Sequence, residues 1–166
     1  MVGALARFRL NHDRLHPRAK AAAETLGLTS DCSNPYCITA AQVVEIVHCV
    51  EEAIELSEKL LGRGLRKEPL GRPTRRSGEG VGAVEAPRGT LYHHYAIEDG
   101  VVRRANCIIP TNQNLANIEA DLRQVVPQIL SLGEQTVTHR LEMLVRAYDP
   151  CISCATHMLN VEFRDS

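Results

Sequence analysis

The sequence predicts a mainly α-helical fold with a small antiparallel β-hairpin. Apolar residues recur at helical spacing in three separate segments, two adjacent segments are rich in β-branched and aromatic residues, and an Asp-Gly pair lies between those two. With 166 residues, 44% of them hydrophobic, the chain has the composition of one globular domain or of a piece of a larger one.

The first half of the chain predicts one long helix. A short apolar element at 2–8 and a loop rich in turn formers at 29–35 precede it. The helix is predicted over residues 41–61, where apolar residues recur at steps of three, four and seven, and glycines at 62 and 64 end it. The apolar positions are Val43, Val47, Val50, Ile54 and Leu61.

Residues 62–83 are predicted to form a loop, because they are rich in Gly, Pro, Arg and Ser and show no periodicity. Their charges are compatible with an anionic partner, although a solvated loop is the more frequent meaning of such a basic run. The basic residues are Arg63, Arg66, Lys67, Arg72, Arg75 and Arg76.

The next segments predict a hairpin followed by two helices. The strands are predicted at Thr90–Ile97 and Val101–Ile109, since an Asp-Gly pair at 99–100 favours the positive φ angles of a tight primed turn. The helices are predicted at 114–132 and 137–148, and Pro150 stops the second of them.

The composition excludes several classes of function. A net charge of −1, 4% aromatic residues and the absence of Trp argue against a nucleic-acid partner. No apolar run is long enough to span a membrane, and no basic-then-apolar export signal begins the chain. We therefore expect a cytoplasmic location, where the six cysteines are reduced.

The strongest chemical signal is a Cys-x-x-Cys pair, Cys151 and Cys154, with His157 three residues further on. Two thiolates at this spacing can face one centre, and a thiolate suits nickel, zinc, copper(I) or iron. Spacing alone does not choose among these metals. A thioredoxin-like role is less favoured, because such a pair normally follows a strand and here it follows a helix.

The other four cysteines do not complete a zinc site in this interpretation. Their spacing is wider than that of most zinc-binding pairs, and they are distributed over a loop, a helix and a strand. We expect core or loop thiols without a shared metal. These residues are Cys32, Cys37, Cys49 and Cys107.

Three segments together resemble the large subunit of nickel–iron hydrogenases. Residues 146–157 (RAYDPCISCATH) resemble its C-terminal signature, residues 82–95 (GAVEAPRGTLYHHY) its arginine-bearing motif, and residues 108–114 (IIPTNQN) its Pro-Thr/Ser segment. They occur in the family's order, and residues 2–8 fit its central region. The residues of these motifs are most similar to those of the cytoplasmic multi-subunit branch, notably the methyl-viologen-reducing type linked to heterodisulfide reductase. The fold implied is the C-terminal portion of the large subunit.

The resemblance implies a set of metal ligands. Cys151 corresponds to a terminal nickel thiolate and Cys154 to a thiolate bridging nickel and iron, with carbon monoxide and two cyanides on the iron. His157 corresponds to a ligand of a nearby Mg²⁺ ion. By the same pattern, the carbonyl of Cys107 is a second magnesium ligand.

The resemblance also implies roles for residues around the metal pair. Arg88 corresponds to the arginine above the metals, where a guanidinium that cannot lose its proton can donate to a cyanide. Asp149 pairs with it. Pro87, Pro110 and Thr111 line the pocket of the diatomic ligands, with the Thr111 hydroxyl donating to the other cyanide.

The implied activity is the reversible oxidation of molecular hydrogen to protons and electrons. The implied partners are a small subunit with iron–sulfur clusters, the N-terminal half of the large subunit, a maturation endopeptidase, nickel-insertion proteins, and heterodisulfide reductase or another electron-acceptor module. Neither nucleic acid nor a membrane span is expected.

The sequence departs from the family's pattern. It lacks the second Cys-x-x-Cys that completes four thiolates, the N-terminal glutamate that usually relays protons and the acidic magnesium ligand. It also retains residues 158–166 after the histidine at which family members are cleaved. We therefore expect a fragment rather than a split subunit, with 158–166 a cleavable extension and the chain inactive alone. With that tail present, we expect His157 outside its final position and no bound metal pair.

Two competing functions remain at this point. One is a non-catalytic metal-binding or scaffold remnant of the same fold, and the other is a subunit of the energy-converting respiratory complex, whose relatives have generally lost these cysteines. Taken singly, Arg88, Thr111 and Asp149 are more often a surface residue and two helix-end residues. For Glu85, His93 and His94, a packing or hydrogen-bonding role is the expectation.

Overall fold

A computed structural model describes residues 1–151 of this chain. Cys154, His157 and the tail 158–166 lie outside the described residues, as do the predictions made for them. The described part is mainly helical with one antiparallel sheet. None of its helices is both long and apolar enough to cross a membrane.

Within residues 1–151, five helices and three strands follow one another in the order ααα-βββ-αα. Short 3₁₀ turns lie at His12–Arg14, Pro35–Cys37 and Leu130–Leu132. The helices are α1 (Ala4–Asn11), α2 (Pro17–Thr25), α3 (Ile38–Arg63), α4 (Pro110–Ile129) and α5 (Glu134–Ala147), and the strands are β1 (Gly78–Ala86), β2 (Gly89–Glu98) and β3 (Val101–Ile108).

All five helices contribute to one hydrophobic core. Small side chains on α2 and α3 let these helices approach each other closely, and larger residues from the other helices fill the remaining space. Burial of this apolar surface is the main favourable term that holds distant segments together. The buried members include Leu5, Phe8, Ala19, Ala23, Ala41, Val44, Ile118, Leu144 and Tyr148.

Only the first part of α3 packs on this core. The predicted helix is confirmed, but of its predicted apolar positions only Val47 packs against the core cluster. Val43, Val50, Ile54 and Leu61 are exposed by 45% to 73%. Periodicity located the helix because it depends on local spacing, whereas burial depends on what the remainder of the fold brings against each face.

The predicted hairpin is confirmed as β2 and β3. Glu98 pairs with Val101 across a two-residue turn, in which Asp99 has φ 50° and Gly100 has φ 82°. Positive φ at both positions matches a primed turn, whose twist suits that of the flanking strands.

The predicted loop at 62–83 is wrong at both ends. Residues 62–63 belong to α3, and residues 78–83 belong to β1, which pairs with β2 to make a three-stranded sheet in the order β1-β2-β3. A glycine-rich edge strand carries little β propensity of its own. Here Gly80 faces Tyr95 and Gly82 faces His93 across the pair, so large neighbours can cover the bare backbone.

Gly89 begins β2 in a conformation that other residues rarely adopt. Its φ is 135°, and a Cβ added there would lie 2.5 Å from Val2 Cγ2 and 3.0 Å from the Gly3 nitrogen. We expect Gly89→Ala to lower the free energy of unfolding by about 2 kcal/mol, through backbone strain and overpacking.

Urea unfolding of the two purified variants measures this effect. Gly82→Ala is the matched control, because an added Cβ there meets nothing within 4 Å. Equal stability of the two alanine variants would show that the segment at Val2 yields freely to a side chain at position 89.

Candidate metal-centre site

Arg88 lies at the tip of the β1–β2 connection. Ala86 and Gly89 pair at the end of the ladder, so Pro87 and Arg88 alone form the turn. The ring of Pro87 fixes its φ angle, and Gly89, directly after Arg88, adopts the positive φ described above. This local chemistry projects Arg88 beyond the end of the sheet.

The Arg88 side chain contacts Asp149, which follows α5. Arg88 Nε donates to the Asp149 carbonyl oxygen at 2.6 Å and lies 3.2 Å from Oδ2, while Nη2 donates to Oδ1 at 3.2 Å. The two side chains are 41% and 40% exposed. The guanidinium therefore holds both the main chain and the carboxylate of Asp149, two residues before Cys151.

Asp149 has a left-handed backbone conformation, with φ 49°. Its N–H donates to the Arg146 carbonyl at 2.9 Å, which closes the last turn of α5. Asp tolerates this region better than most residues with a side chain. Gln42 Nε2 on α3 donates to Asp149 Oδ2 at 3.3 Å, so α3 and the β1–β2 turn both hold this carboxylate.

Cys151 is tied to the start of α4. Its N–H donates to Thr111 Oγ1 at 3.1 Å, and Thr111 is only 5% exposed. Pro110 occupies the first position of that helix, where its missing N–H costs no helical hydrogen bond. The Cys151 side chain is half-buried, close in sequence to the Arg88–Asp149 pair.

Cys107 lies on β3, directly opposite His93 on β2. Its side chain is exposed, and its sulfur is 3.5 Å from His93 Nδ1. The predicted magnesium ligand is the carbonyl of this residue, and only Ile108 and Ile109 separate it from Pro110 at the start of α4. Within residues 1–151, no three His, Cys, Asp or Glu side chains converge as a metal site.

Hydrogen bonds are formed by all three residues for which a packing or hydrogen-bonding role was expected, Glu85, His93 and His94. Glu85 accepts from Thr90 and, at 2.8 Å, from Arg7. Burial raises the pKa of Glu85, but the hydrogen bonds from Thr90 and Arg7 bring it below its usual range. His94 Nε2 lies 2.6 Å from Glu79, and His93 Nδ1 lies 2.7 Å from the Tyr95 hydroxyl.

Cys32 and Cys37 lie together beside the helical core. Both are half-buried and pack against the core cluster. Burial raises the pKa of Cys37, and a hydrogen bond with Cys32 raises it further. This arrangement agrees with the expected role as core or loop thiols.

Three residues of the site were not given their roles from the sequence. Gln42 contacts Asp149, Arg7 contacts the Arg88 turn, and Asn114, 3% exposed, binds both the N–H and the carbonyl of Val2. The available signal for Arg7 was a single charge inside the apolar element 2–8. Its partners lie far along the chain, so spacing could not find them.

Tyr148, the residue before Asp149, is anchored to α4. It is 6% exposed, and its hydroxyl donates to Asp121 on α4. Burial first, and then the hydrogen bond and charge of Asp121, raise its pKa well above the ordinary value of 10.0. The neutral phenol therefore contributes stability that is complete below pH 10 and is lost as the pH rises toward the raised pKa.

We expect the free energy of unfolding to decline above this pH with a contribution from Tyr148 of about 1.4 kcal/mol per pH unit. Tyr148→Phe should flatten that part of the profile, and Tyr92→Phe on the sheet should leave it unchanged. Denaturant unfolding across alkaline pH measures both. An identical slope in wild type and Tyr148→Phe would contradict the assignment.

Comparison with known proteins identifies the class to which this arrangement belongs. Residues 2–157 match the nickel-dependent hydrogenase family, and the chain belongs to that family. It is similar to the alpha subunit of sulfhydrogenase 2 from Pyrococcus furiosus, with 37% identity over 96% of this chain and 39% of that protein. It is also similar to a subunit of the F420-non-reducing hydrogenase from Methanothermobacter marburgensis, with 38% identity over 75% of this chain and 26% of that protein.

The fold is similar to that of a solved hydrogenase. A crystal structure of an NAD⁺-reducing [NiFe]-hydrogenase in the H₂-reduced state matches with a TM-score of 0.74 and 36% identity, over 94% of this chain and 35% of that chain. These relatives fit the multi-subunit branch predicted from the sequence. The chain spans between about a quarter and two fifths of their lengths.

Proposed function

We propose that this chain forms part of the catalytic subunit of a nickel–iron hydrogenase, which oxidises molecular hydrogen reversibly to protons and electrons. The observation that carries the proposal is the contact between Arg88 and Asp149, two residues before Cys151, in a member of this family. In this proposal, a permanent cation and a carboxylate are held close in sequence to Cys151, the proposed thiolate ligand. The chain lacks the second cysteine pair and is proposed to be inactive alone.

The donor set fits the proposed metals. Cys151 is a half-buried soft ligand whose backbone is held by Thr111, which suits nickel, and Cys154 is proposed to supply the bridging thiolate. We propose His157 and the carbonyl of Cys107 as ligands of Mg²⁺. When bound, the nickel–iron centre, with carbon monoxide and two cyanides on iron, supplies the Lewis acidity that polarises hydrogen.

The chain's own residues would organise the space around the metals. A guanidinium has five N–H donors, so Arg88 can hold Asp149 and a second acceptor at the same time. The Thr111 oxygen accepts from Cys151, and its O–H can donate to a cyanide. Pro87 and Pro110 have no N–H, and their apolar rings would line the pocket of the carbon monoxide and cyanide ligands.

The proposed partners follow from the family. The relatives are named as subunits of hydrogenases, so a multi-subunit assembly is the setting. We propose a small subunit with iron–sulfur clusters as electron acceptor, the N-terminal half of the large subunit, and maturation proteins that insert nickel and cleave the tail. The link to heterodisulfide reductase or another acceptor module, and the cytoplasmic location, stay predictions.

Co-expression tests the proposal. The full chain is produced with a polypeptide that supplies the other Cys-x-x-Cys, with the maturation proteins and with the small subunit. We expect nickel to be retained and viologen to be reduced by hydrogen, whereas the chain alone gives neither. A nickel-free assembly with every component present would instead support a scaffold remnant.

A further inference from the structure

Arg7 on α1 uses all five of its N–H donors. Nε and Nη2 bind the two carboxylate oxygens of Glu45 on α3, at 2.6 and 2.7 Å. Nη1 binds Glu85 at 2.8 Å and the Ala86 carbonyl at 2.9 Å, and Nη2 binds the Pro87 carbonyl at 2.8 Å. One side chain thus joins two helices to the end of β1.

Two of the acceptors of Arg7 are main-chain carbonyls just before Arg88 in the chain. Ala86 and Pro87 are the two residues before Arg88, and binding the Pro87 carbonyl orients the peptide plane that leads into it. The fork on Glu45 fixes the direction from which the guanidinium approaches, because both of its carboxylate oxygens are engaged. A helix on the core therefore sets the position of an exposed turn.

The segment at residues 2–3 also packs against this turn. A Cβ at Gly3 would lie 2.9 Å from the Arg88 carbonyl oxygen, so this backbone approach requires glycine, which also has φ 112° here. The buried Asn114 binds the Val2 backbone on both its N–H and its carbonyl, at 2.9 and 3.0 Å. The Arg88 turn is thereby clamped by α1 together with the segment that precedes it.

Arg88 requires such a clamp because burial does not immobilise it. Its side chain is 41% exposed, whereas the side chains of Arg7 and Glu45 are 21% and 22% exposed. Hydrogen bonds with Glu45 raise the pKa of Arg7 further above its ordinary value, so the Arg7 guanidinium stays positively charged. Rigid support from less exposed groups is the usual way to hold an exposed functional group in place.

We propose that Arg7 is a positioning residue for Arg88, acting through the carbonyls of Ala86 and Pro87. The importance of Arg88 for catalysis rests on the function proposed above. The effect of Arg7 on the position of Arg88 does not depend on that function. A merely structural ion pair between Arg7 and Glu45 would affect stability without altering the environment of the Arg88 guanidinium.

The first measurement uses the full chain alone. Nitrogen-15 NMR follows hydrogen exchange of the Arg88 Nε–H, which donates to the Asp149 carbonyl. Arg7→Lys keeps the charge but lacks the planar fork, so one nitrogen cannot serve Glu45 and both carbonyls. We expect exchange at Arg88 to become about tenfold faster, as for the loss of one hydrogen bond's protection.

The matched control is Arg9→Lys, because Arg9 lies on the same helix and donates to a loop carbonyl, that of Ser30 at 3.3 Å, instead of to the Arg88 turn. Its exchange rate at Arg88 should equal that of wild type. Should Arg7→Lys fail to fold, Glu45→Gln keeps Arg7 and weakens the fork, and a smaller acceleration is expected. Unchanged exchange at Arg88 in a folded variant of either kind would overturn the proposal.

The second measurement uses the completed enzyme. Arg7→Lys should lower kcat by about tenfold to a hundredfold with nickel content and KM unchanged, since small misplacement of a catalytic group costs rate. If no variant, wild type included, is active with hydrogen, the proposed function fails while the NMR result still decides the role of Arg7. Loss of nickel together with activity would assign Arg7 a structural role instead.

Discussion

Replacing Cys151 with serine is expected to remove nickel from the completed enzyme and abolish its hydrogen-dependent activity. Serine keeps the backbone N–H that Thr111 accepts, so the junction between α5 and α4 is preserved. Its hydroxyl stays protonated and is a hard donor, which nickel accepts poorly in place of a thiolate. Since even outer-shell changes cost tenfold to a hundredfold in metal affinity, loss of a ligand should cost more than about a hundredfold.

Elemental analysis and viologen reduction after identical co-expression measure this result. Cys49→Ser is the matched control, because Cys49 is an exposed thiol on α3 that has no proposed metal role. It should retain nickel and activity. Full nickel occupancy in the Cys151→Ser enzyme would remove Cys151 from the ligand set and, with it, the central element of the proposed function.

Arg88→Lys, in contrast, should lower activity while nickel is retained. Lysine keeps the positive charge but cannot hold the Asp149 carbonyl and carboxylate through a planar fork. A donor aimed at the reacting centre is commonly worth a hundredfold to a thousandfold in rate. We therefore expect kcat to fall by about that factor.

The control for charge and surface position is Arg103→Lys, since Arg103 forms an exposed ion pair with Glu98 on the sheet. It should leave kcat unchanged. Nickel content and kcat are measured on the same preparations. If Arg88→Lys lost nickel in proportion to activity, the guanidinium would act in assembling the site rather than in the reaction.

Much of the fold follows from local pattern. The long helix, the two later helices and the β2–β3 hairpin were predicted because helical spacing and an Asp-Gly turn are properties of neighbouring residues. The first strand was missed, since Gly80 and Gly82 carry no strand signal and the ladder with β2 supplies it. The exposure of Val50 and Ile54 also could not be predicted from local pattern, because burial is a property of the assembled fold.

The sequence by itself determined the chemistry that this chain can offer. The sequence contains two thiols at a two-residue spacing, an arginine after a proline, and a Pro-Thr step. These features depend only on residue type and short separation, and they also carry the family resemblance. Ligand preference and permanent charge belong to the side chains themselves.

Only the tertiary structure decided which of these groups meet. Arg88 and Asp149 are 61 residues apart, and Arg7 lies 80 residues from the Pro87 carbonyl that it binds. Contacts over such separations depend on how α1, α3, α4 and α5 pack around a common core, which no local spacing encodes. The clamp on the Arg88 turn is therefore a product of packing.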